Sequence, residues 1–343
     1  MTLYDRLKPL IFLLKPEQAH HLTINLLRLA GALPPASWLV RRMFPVYVPG
    51  PEVKAFGLTF ANPIGMASGY DKDALAWRGL ACLGFGHIEL GTVTPQAQPG
   101  NPKPRTFRLV EDQAAINRMG FPNRGAAFLA KRVRSRRPPG LILGMNIGKN
   151  KVTPNEDAAS DYLSLLRTFG PLVDYLAVNI SSPNTPNLRA LQSRAALEAL
   201  LTPLAYERAR LVSSIGKPIP ILVKLAPDLT DAELEDAIGA IEGAGMDGLI
   251  LTNTTLQRPD LTSPKSGEIG GLSGAPLREI STAMLKRARP LTRLPIIASG
   301  GVMTPADAQE KLDAGAALVQ VYTGLIYRGP GFVADILNSS LHI

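Results

Sequence analysis

The sequence predicts an α/β fold, a (β/α)8 TIM barrel with an N-terminal two-helix extension. Three observations predict it. Eight strand-like apolar runs follow one another, and parallel strands covered on both faces read as such continuous runs. Most are separated by amphipathic helical segments such as TDAELEDAIGAIEGAG and TPADAQEKLDAGA. The 343 residues, 45% of them hydrophobic, can bury one large barrel core. A doubly wound open sheet is the other arrangement this alternation allows.

Taken in order, Leu3, Leu7, Leu10, Ile11 and Leu14 recur at helical spacing. After Pro16 the pattern resumes at Leu22, Leu26, Leu29 and Ala30, giving two short amphipathic helices. GALPPASWLVRRMFPVYVPGP mixes turn residues with apolar and basic ones, and its Pro/Gly-rich end reads as a linker. A boundary near Pro51 separates a helical extension (1–50) from the barrel (51–343). VKAFGLTFANP reads as a hairpin turning at Gly57. The barrel runs are NPIGMAS, GHIELGTVT, GLILGMNIG, DYLAVNIS, IPILVKLAP, DGLILTNTT, LPIIASGG and ALVQVYTG. The connections Pro95 to Leu141 and Asn253 to Pro276 are too long for simple links and are expected to be lids or binding loops. RTFRL and AAINRMG, in the first, are short enough to be extra strands over the barrel mouth.

The single cysteine, Cys82, leaves no internal disulfide and no multi-cysteine metal site, and suits a reducing compartment and a place in the core. No His, Cys, Asp and Glu cluster has metal-ligand spacing, so no metal is expected. His20 and His21 read as ordinary surface or satisfied side chains. The net charge of +9 suits an anionic substrate, a membrane surface or nucleic acid, and composition does not choose among them. The basic run KRVRSRRPPG has no interleaved aromatics for base stacking and reads as a solvated face, with no nucleic-acid partner expected. No run approaches the ~18 apolar residues that span a bilayer. The N-terminus lacks a signal-peptide pattern, so the cytosol or a membrane face is the expected location.

In such a barrel the active site lies at the C-terminal strand ends. The sequence places there Ser68, Gly69, Asp71 and Lys72, then Thr92, Asn146 and Lys149, then Asn179, Ser181 and Ser182. Lys224, Thr252, Asn253, Thr254, Ser299, Gly300, Gly301, Tyr322, Thr323 and Gly324 complete the ring. The last two strands end in SGG and YTG, and Thr304 with Pro305 reads as the capped start of a helix. Glycine-opened amides beside a helix N-terminus form an anion site, so a phosphate-bearing ligand is expected. Lys224 interrupts an apolar strand, and a buried ammonium needs an anionic or polarised partner. It is expected to face the mouth and stabilise negative charge on a ring such as a reduced flavin. Asn117, Asn179, Asn184 and Asn253 each offer a donor and an acceptor, matching the alternating edge of a pyrimidine-like imide. Lys72 beside them favours a planar substrate with a carboxylate. AVNISSPNTPN holds two serines but no histidine, cysteine or carboxylate to make either a nucleophile.

The chain resembles the dihydroorotate dehydrogenases, in particular their membrane-associated, quinone-linked class. The likeness runs nearly end to end through NPIGMASGYDKD, GFGHIELGTVTPQAQPGNPKPR, INRMGFPN, NIGKNK, NISSPNTPNLR, VKLAPDL, TNTT, GGLSG, SGG and LVQVYTG, in the family's order and spacing. The resemblance implies FMN held by Ser68, Gly69, Tyr70, Asp71, Lys72, Thr92, Asn146, Asn179, Lys224, Thr252, Gly274, Gly301, Tyr322 and Thr323. It implies substrate contacts from Lys72, Asn117, Arg118, Met119, Gly120, Phe121, Asn179, Asn184, Asn253 and Thr254, with Ser182 as catalytic base. The implied reaction oxidises dihydroorotate to orotate, the redox step of pyrimidine synthesis. Ser182 would remove the C5 proton while a hydride leaves C6 for the flavin N5, the electrons passing on to a membrane quinone. A serine used this way needs no free alkoxide, because its own proton can pass to water or a neighbouring hydroxyl.

Soluble relatives carry cysteine where Ser182 stands and lack the extension. The serine and the helices therefore imply the quinone-linked class, a monomer lying peripherally on the cytoplasmic side of the cell membrane, with the extension forming a quinone tunnel. ASGYDK and ASGGVMT depart from the family's usual pattern, which bears on the lining of the flavin pocket. Two alternatives stay open: a soluble FMN enzyme of the same barrel using fumarate or NAD and, remotely, a phosphate-binding barrel acting on RNA.

Overall fold

The structure, a computed structural model, describes residues 3–48, 50–135 and 137–342. Three helices come first, α1 (Leu3–Leu13), α2 (Pro16–Ala32) and α3 (Pro34–Met43). The third corrects the expectation of two helices. Pro34 and Pro35 do not mark a turn here; they fill the first helical turn, where an amide has no intrahelical partner to lose. The linker shrinks to the segment between Met43 and the hairpin.

That hairpin, β1 (Val53–Ala55) and β2 (Leu58–Phe60), turns at Phe56 and Gly57, both at positive φ. Phe56 and Phe60 pack with Tyr175, Leu222, Ile250 and Ile297 and close the bottom of the barrel. The chain then runs through β3 (Ile64–Met66), α4 (Trp77–Leu80), β4 (His87–Val93), β5 (Thr106–Leu109), β6 (Ala114–Asn117), α5 (Ala126–Val133) and β7 (Ile142–Ile147). It continues with α6 (Ala158–Phe169), β8 (Tyr175–Asn179), α7 (Arg194–Ile215), β9 (Ile221–Leu225), α8 (Asp231–Gly243), β10 (Gly248–Leu251) and β11 (Gly271–Gly274). Last come α9 (Leu277–Ala288), β12 (Ile296–Ser299), α10 (Pro305–Asp313), β13 (Leu318–Val321), α11 (Thr323–Arg328) and α12 (Phe332–Asn338).

The barrel closes in the order β3-β4-β7-β8-β9-β10-β12-β13, with every neighbour parallel. Each of the eight expected apolar runs supplies one of these strands. The fold is a (β/α)8 barrel with N-terminal helices. The two long connections meet at its mouth, where β5, β6 and β11 form a small antiparallel sheet. RTFRL and AAINRMG are the first two of these strands; GLSG has too little apolar alternation to announce the third.

The extension is docked, not loose. Ile24 and Leu27 of α2 join the barrel's core cluster, and a Cβ on Gly79 of α4 would lie 2.0 Å from the Leu27 carbonyl oxygen. Only a glycine lets the two helices approach that closely. The Arg108 guanidinium sits 4.1 Å from the centre of the Phe12 ring and donates to the Phe12 carbonyl, while Glu17 pairs with Arg105 at 3.0 Å. Cys82 is buried, as expected. Within the basic run, Arg132 donates to the Ala74 carbonyl and Arg137 pairs with Asp174, so part of it packs onto the barrel and is not a free charged strip. Arg136 of that run lies outside the described residues.

Candidate active site

The site is built on an amide network at the C-terminal ends of β4, β7, β8 and β10. Thr92 Oγ1 donates to Asn146 Oδ1; Asn179 Nδ2 donates to the same oxygen at 2.9 Å and to Thr92 Oγ1 at 3.0 Å. Asn253 Nδ2 reaches Asn179 Oδ1 at 3.3 Å and Ser181 Oγ at 3.0 Å. The last inward residue of β9 is a buried ammonium. Lys224, 4% exposed, has its ammonium 3.4 Å from Ser68 Oγ and 3.9 Å from Glu89. Burial lowers its pKa and the Glu89 carboxylate opposes that shift.

Above this floor lies a cavity of about 500 Å³. The serine loop after β8 forms one wall. Ser182 is buried and its Oγ accepts from the Asn184 amide N–H at 3.2 Å, while Asn184 Nδ2 donates to Asn117 Oδ1 at 3.1 Å. Arg189 clamps the loop, donating to the Ser181 carbonyl, the Thr254 carbonyl and Asp228. Three residues beyond Ser182, the buried Thr185 hydroxyl has no hydrogen-bond partner among the described residues. The opposite wall, Asn117 to Phe121, is held by Asn101 Nδ2 on the Arg118 carbonyl and Gln98 Nε2 on the carbonyls of Gly120 and Phe121. Gly120 runs at φ 68° with the Asn101 side chain 2.8 Å from where a Cβ would stand. Lys72 enters from the loop after β3, donating to the Gly69 carbonyl; burial first, and the Arg105 charge second, bring its pKa down to about 8.

The structure brings most of the expected residues to this one cavity. Ser68, Gly69, Tyr70, Lys72, Thr92, Asn179, Lys224, Thr252, Gly274, Gly301, Tyr322 and Thr323 line it, as do Asn117, Met119, Gly120, Phe121, Ser182, Asn184, Asn253 and Thr254. Three of the expected residues, Asp71, Arg118 and Asn146, are not among those that line it. The Asp71 carboxylate is spent on the amides of Leu75 and Ala76 and, buried, has its pKa raised to about 6. Arg118 turns outward to Glu268 and lies over the Phe107 ring. Asn146 lies beneath the floor and acts through Thr92 and Asn179. Lys149 likewise turns away, to the Thr153 carbonyl.

At the expected anion corner, Thr304 caps α10 as anticipated. That cap and the Asp307 carboxylate occupy the amides of Met303, Thr304 and Asp307, so the cavity wall there is made by the glycine loops at Gly300, Gly301 and Gly324.

Several lining residues escaped the sequence reading. His20 is one: expected as an ordinary surface or satisfied side chain, it bonds to the Tyr70 backbone and lines the cavity. Its ring stands edge-on to Tyr70 at 5.3 Å, and Tyr70 edge-on to Tyr322 at 5.6 Å. Burial, with Lys72 nearby, pushes the His20 pKa down to about 3, so the ring is neutral. Glu17, His20 and Thr23 share one stripe of α2, and that helical spacing beside buried Ala19, Ile24 and Leu27 was the available signal. The same cavity continues past them to Ile11, Phe12, Leu26, Leu27, Val40 and Phe44 of the extension. Among the described residues no group of His, Cys, Asp and Glu could hold a metal ion.

Known proteins match this chain over most of its length. The family model for dihydroorotate dehydrogenase matches residues 51–342. The chain is 48% identical to dihydroorotate dehydrogenase (quinone) of Acidithiobacillus ferrooxidans, over 98% of this chain and 93% of that one. It is also 48% identical to the protein of the same name from Dichelobacter nodosus, over 98% of each chain. Among solved structures, DHODH of Eimeria tenella in complex with ferulenol superposes with a TM-score of 0.87 at 40% identity, covering 94% of this chain and 90% of that one. On this evidence the chain belongs to the dihydroorotate dehydrogenase family.

Proposed function

We propose that the chain oxidises dihydroorotate to orotate through bound FMN and passes the electrons to a membrane quinone, the redox step of pyrimidine biosynthesis. The observation that carries this is the continuity of one cavity, from Ser182 and Lys224 at the barrel mouth to an apolar gallery between the N-terminal helices. A soluble acceptor such as fumarate or NAD has no use for that gallery.

The residues present fit a flavin. Lys224 is a buried ammonium with one long hydrogen bond, so its remaining donors are available to the polar edge of an isoalloxazine ring. Ser68, Thr92, Asn179 and Thr252 flank it, and the glycine loops at Gly274 and Gly301, with Tyr322 and Thr323, suit the ribityl phosphate. Asp71 and Asn146 support that pocket from behind. Bound FMN supplies the acceptor for the C6 hydride and the route of the electron pair to the quinone.

The chain's own residues do the rest. Lys72 meets the substrate carboxylate, and the amides of Asn117, Asn179, Asn184 and Asn253 fix the ring edge by paired donors and acceptors. Met119, Gly120, Phe121 and Thr254 shape the walls, with Arg118 contributing its backbone. Ser182 takes the proton from C5. Its own proton passes by water through the Thr185 hydroxyl, which accepts it and gives up its own, and on to solvent; among the described residues that hydroxyl has no other partner.

The outer face of the extension suits a lipid surface. Leu10, Leu13, Leu26, Leu29, Trp38 and Leu39 are exposed there beside Lys15, Arg28, Arg41 and Arg42. Apolar side chains with basic neighbours bind an anionic membrane from one side. No helix among the described residues is long and apolar enough to cross a membrane. Residues 1–50 thus serve as membrane contact and quinone tunnel and 51–343 as the FMN-binding barrel, in a peripheral monomer on the cytoplasmic side of the cell membrane. The test is spectroscopic. Anaerobic dihydroorotate should bleach the flavin of the purified protein, and a quinone analogue should restore it; a flavin that stays oxidised overturns the reading.

A further inference from the structure

Below the floor of the cavity the barrel encloses a carboxylate that the reaction as described does not use. Glu89, the third residue of β4, is fully buried. Its Oε1 accepts from Asn146 Nδ2 at 2.9 Å and lies 3.9 Å from the Lys224 ammonium. Its Oε2 accepts from Gln320 Nε2 at 3.0 Å and from the Tyr175 hydroxyl at 3.2 Å. Side chains of β7, β8, β9 and β13 therefore converge on one acceptor.

Such an acceptor imposes direction. The two ends of an asparagine amide have nearly the same shape and opposite hydrogen-bonding character, so partners decide which way each one points. A carboxylate only accepts, so Asn146 must turn Nδ2 toward Glu89 and its Oδ1 toward the cavity. That oxygen takes Asn179 Nδ2, which leaves Asn179 Oδ1 to take Asn253 Nδ2. Asn253 in turn presents its Oδ1 to the Thr254 amide at 2.8 Å. One buried charge thus orders three amides in series. Stability alone gives little reason to keep it, because a buried ion pair is often no better than a well-packed apolar pair.

We propose that Glu89 is a positioning residue, whose charge orients the amides of Asn146, Asn179 and Asn253 and holds the Lys224 ammonium at the cavity floor. This rests on the reading that Asn179, Asn253 and Lys224 meet flavin and substrate.

The test is Glu89→Gln in the FMN-loaded, full-length protein, which keeps the shape and removes the charge. Two readouts are followed beside turnover: the flavin midpoint potential, by reductive titration, and orotate affinity, from its perturbation of the flavin spectrum. With Lys224 uncompensated, the reduced flavin is favoured and the midpoint rises. With the amides free to turn, orotate binding weakens about tenfold. Glu89→Asp, which keeps the charge, returns the midpoint toward the wild-type value. Should Glu89→Gln not fold, Asn146→Ala breaks the series one step higher and leaves Glu89 beside Lys224; orotate binding then weakens while the midpoint holds. A folded Glu89→Gln protein with either value at wild type, or an Asn146→Ala protein with wild-type orotate affinity, overturns the proposal. Wild-type protein that takes up no FMN or no orotate overturns the functional reading instead.

Discussion

Asn184 Nδ2 donates to Asn117 Oδ1 at 3.1 Å, tying the loop that carries Ser182 to the end of β6. Asn117 comes from the long connection after β4 and Asn184 from the loop after β8, and both line the cavity. Asn184 also fixes Ser182, whose Oγ accepts from its backbone N–H. Asn184→Ala should keep that backbone bond and lose the side-chain one. The expected result is normal flavin content with the dihydroorotate KM raised about tenfold, the scale of one hydrogen bond in a desolvated site. Steady-state kinetics with flavin quantitation checks it.

Thr23 tests the path to the quinone. It lies on the cavity-facing stripe of α2, and its hydroxyl donates to the nearby Ala19 carbonyl at 2.9 Å. Thr23→Phe should narrow the gallery without touching the barrel mouth. Stopped-flow bleaching by dihydroorotate should be unchanged while reoxidation by a quinone analogue slows severalfold; equal slowing of both half-reactions would contradict the assignment.

Lys72 sets a pH limit on substrate binding. Burial, then Arg105, brings its pKa down to about 8, so the ammonium that meets a carboxylate is lost as pH rises through that value. kcat/KM for dihydroorotate should therefore fall above about pH 8. In Lys72→Met the profile should be low and flat across that range.

His87 makes a stability prediction with a definite sign. Its ring is fully buried between Phe60 and Tyr175, neither ring nitrogen has a hydrogen-bond partner among the described residues, and burial pushes its pKa down to about 3. The unfolded chain binds this proton near pH 6.5 and the folded one only near 3, so stability is lost as pH falls through that window. His87→Phe removes the unsatisfied nitrogens and should stabilise by about 1–3 kcal/mol at neutral pH. It should also weaken the acid sensitivity, which His20 still contributes with the same sign. Urea unfolding at two pH values reads both effects.

The barrel was legible because its strands are buried on both faces and so stand out as apolar runs. What the sequence hid is what depends on contacts across the fold. Pro34 and Pro35 looked like a turn until α3 placed them in its first helical turn. Glu89 and His87 sat inside GHIELGTVT as two polar interruptions, and only closure of the barrel brings Tyr175, Gln320 and Lys224 to the carboxylate. Most site residues could be named because motifs carry them. The side-chain partners of Asp71, Arg118 and Asn146 were not legible, because a motif identifies a residue and not the direction of its side chain.

The central claim is that the serine loop performs the proton chemistry of dihydroorotate oxidation, and its most direct test is Ser182→Ala in single turnover. Mixed anaerobically with dihydroorotate, the variant should bind flavin and substrate as the wild type does and bleach several orders of magnitude more slowly, on the order of the 10²–10⁴-fold a positioned base supplies. Bleaching at the wild-type rate would contradict the account.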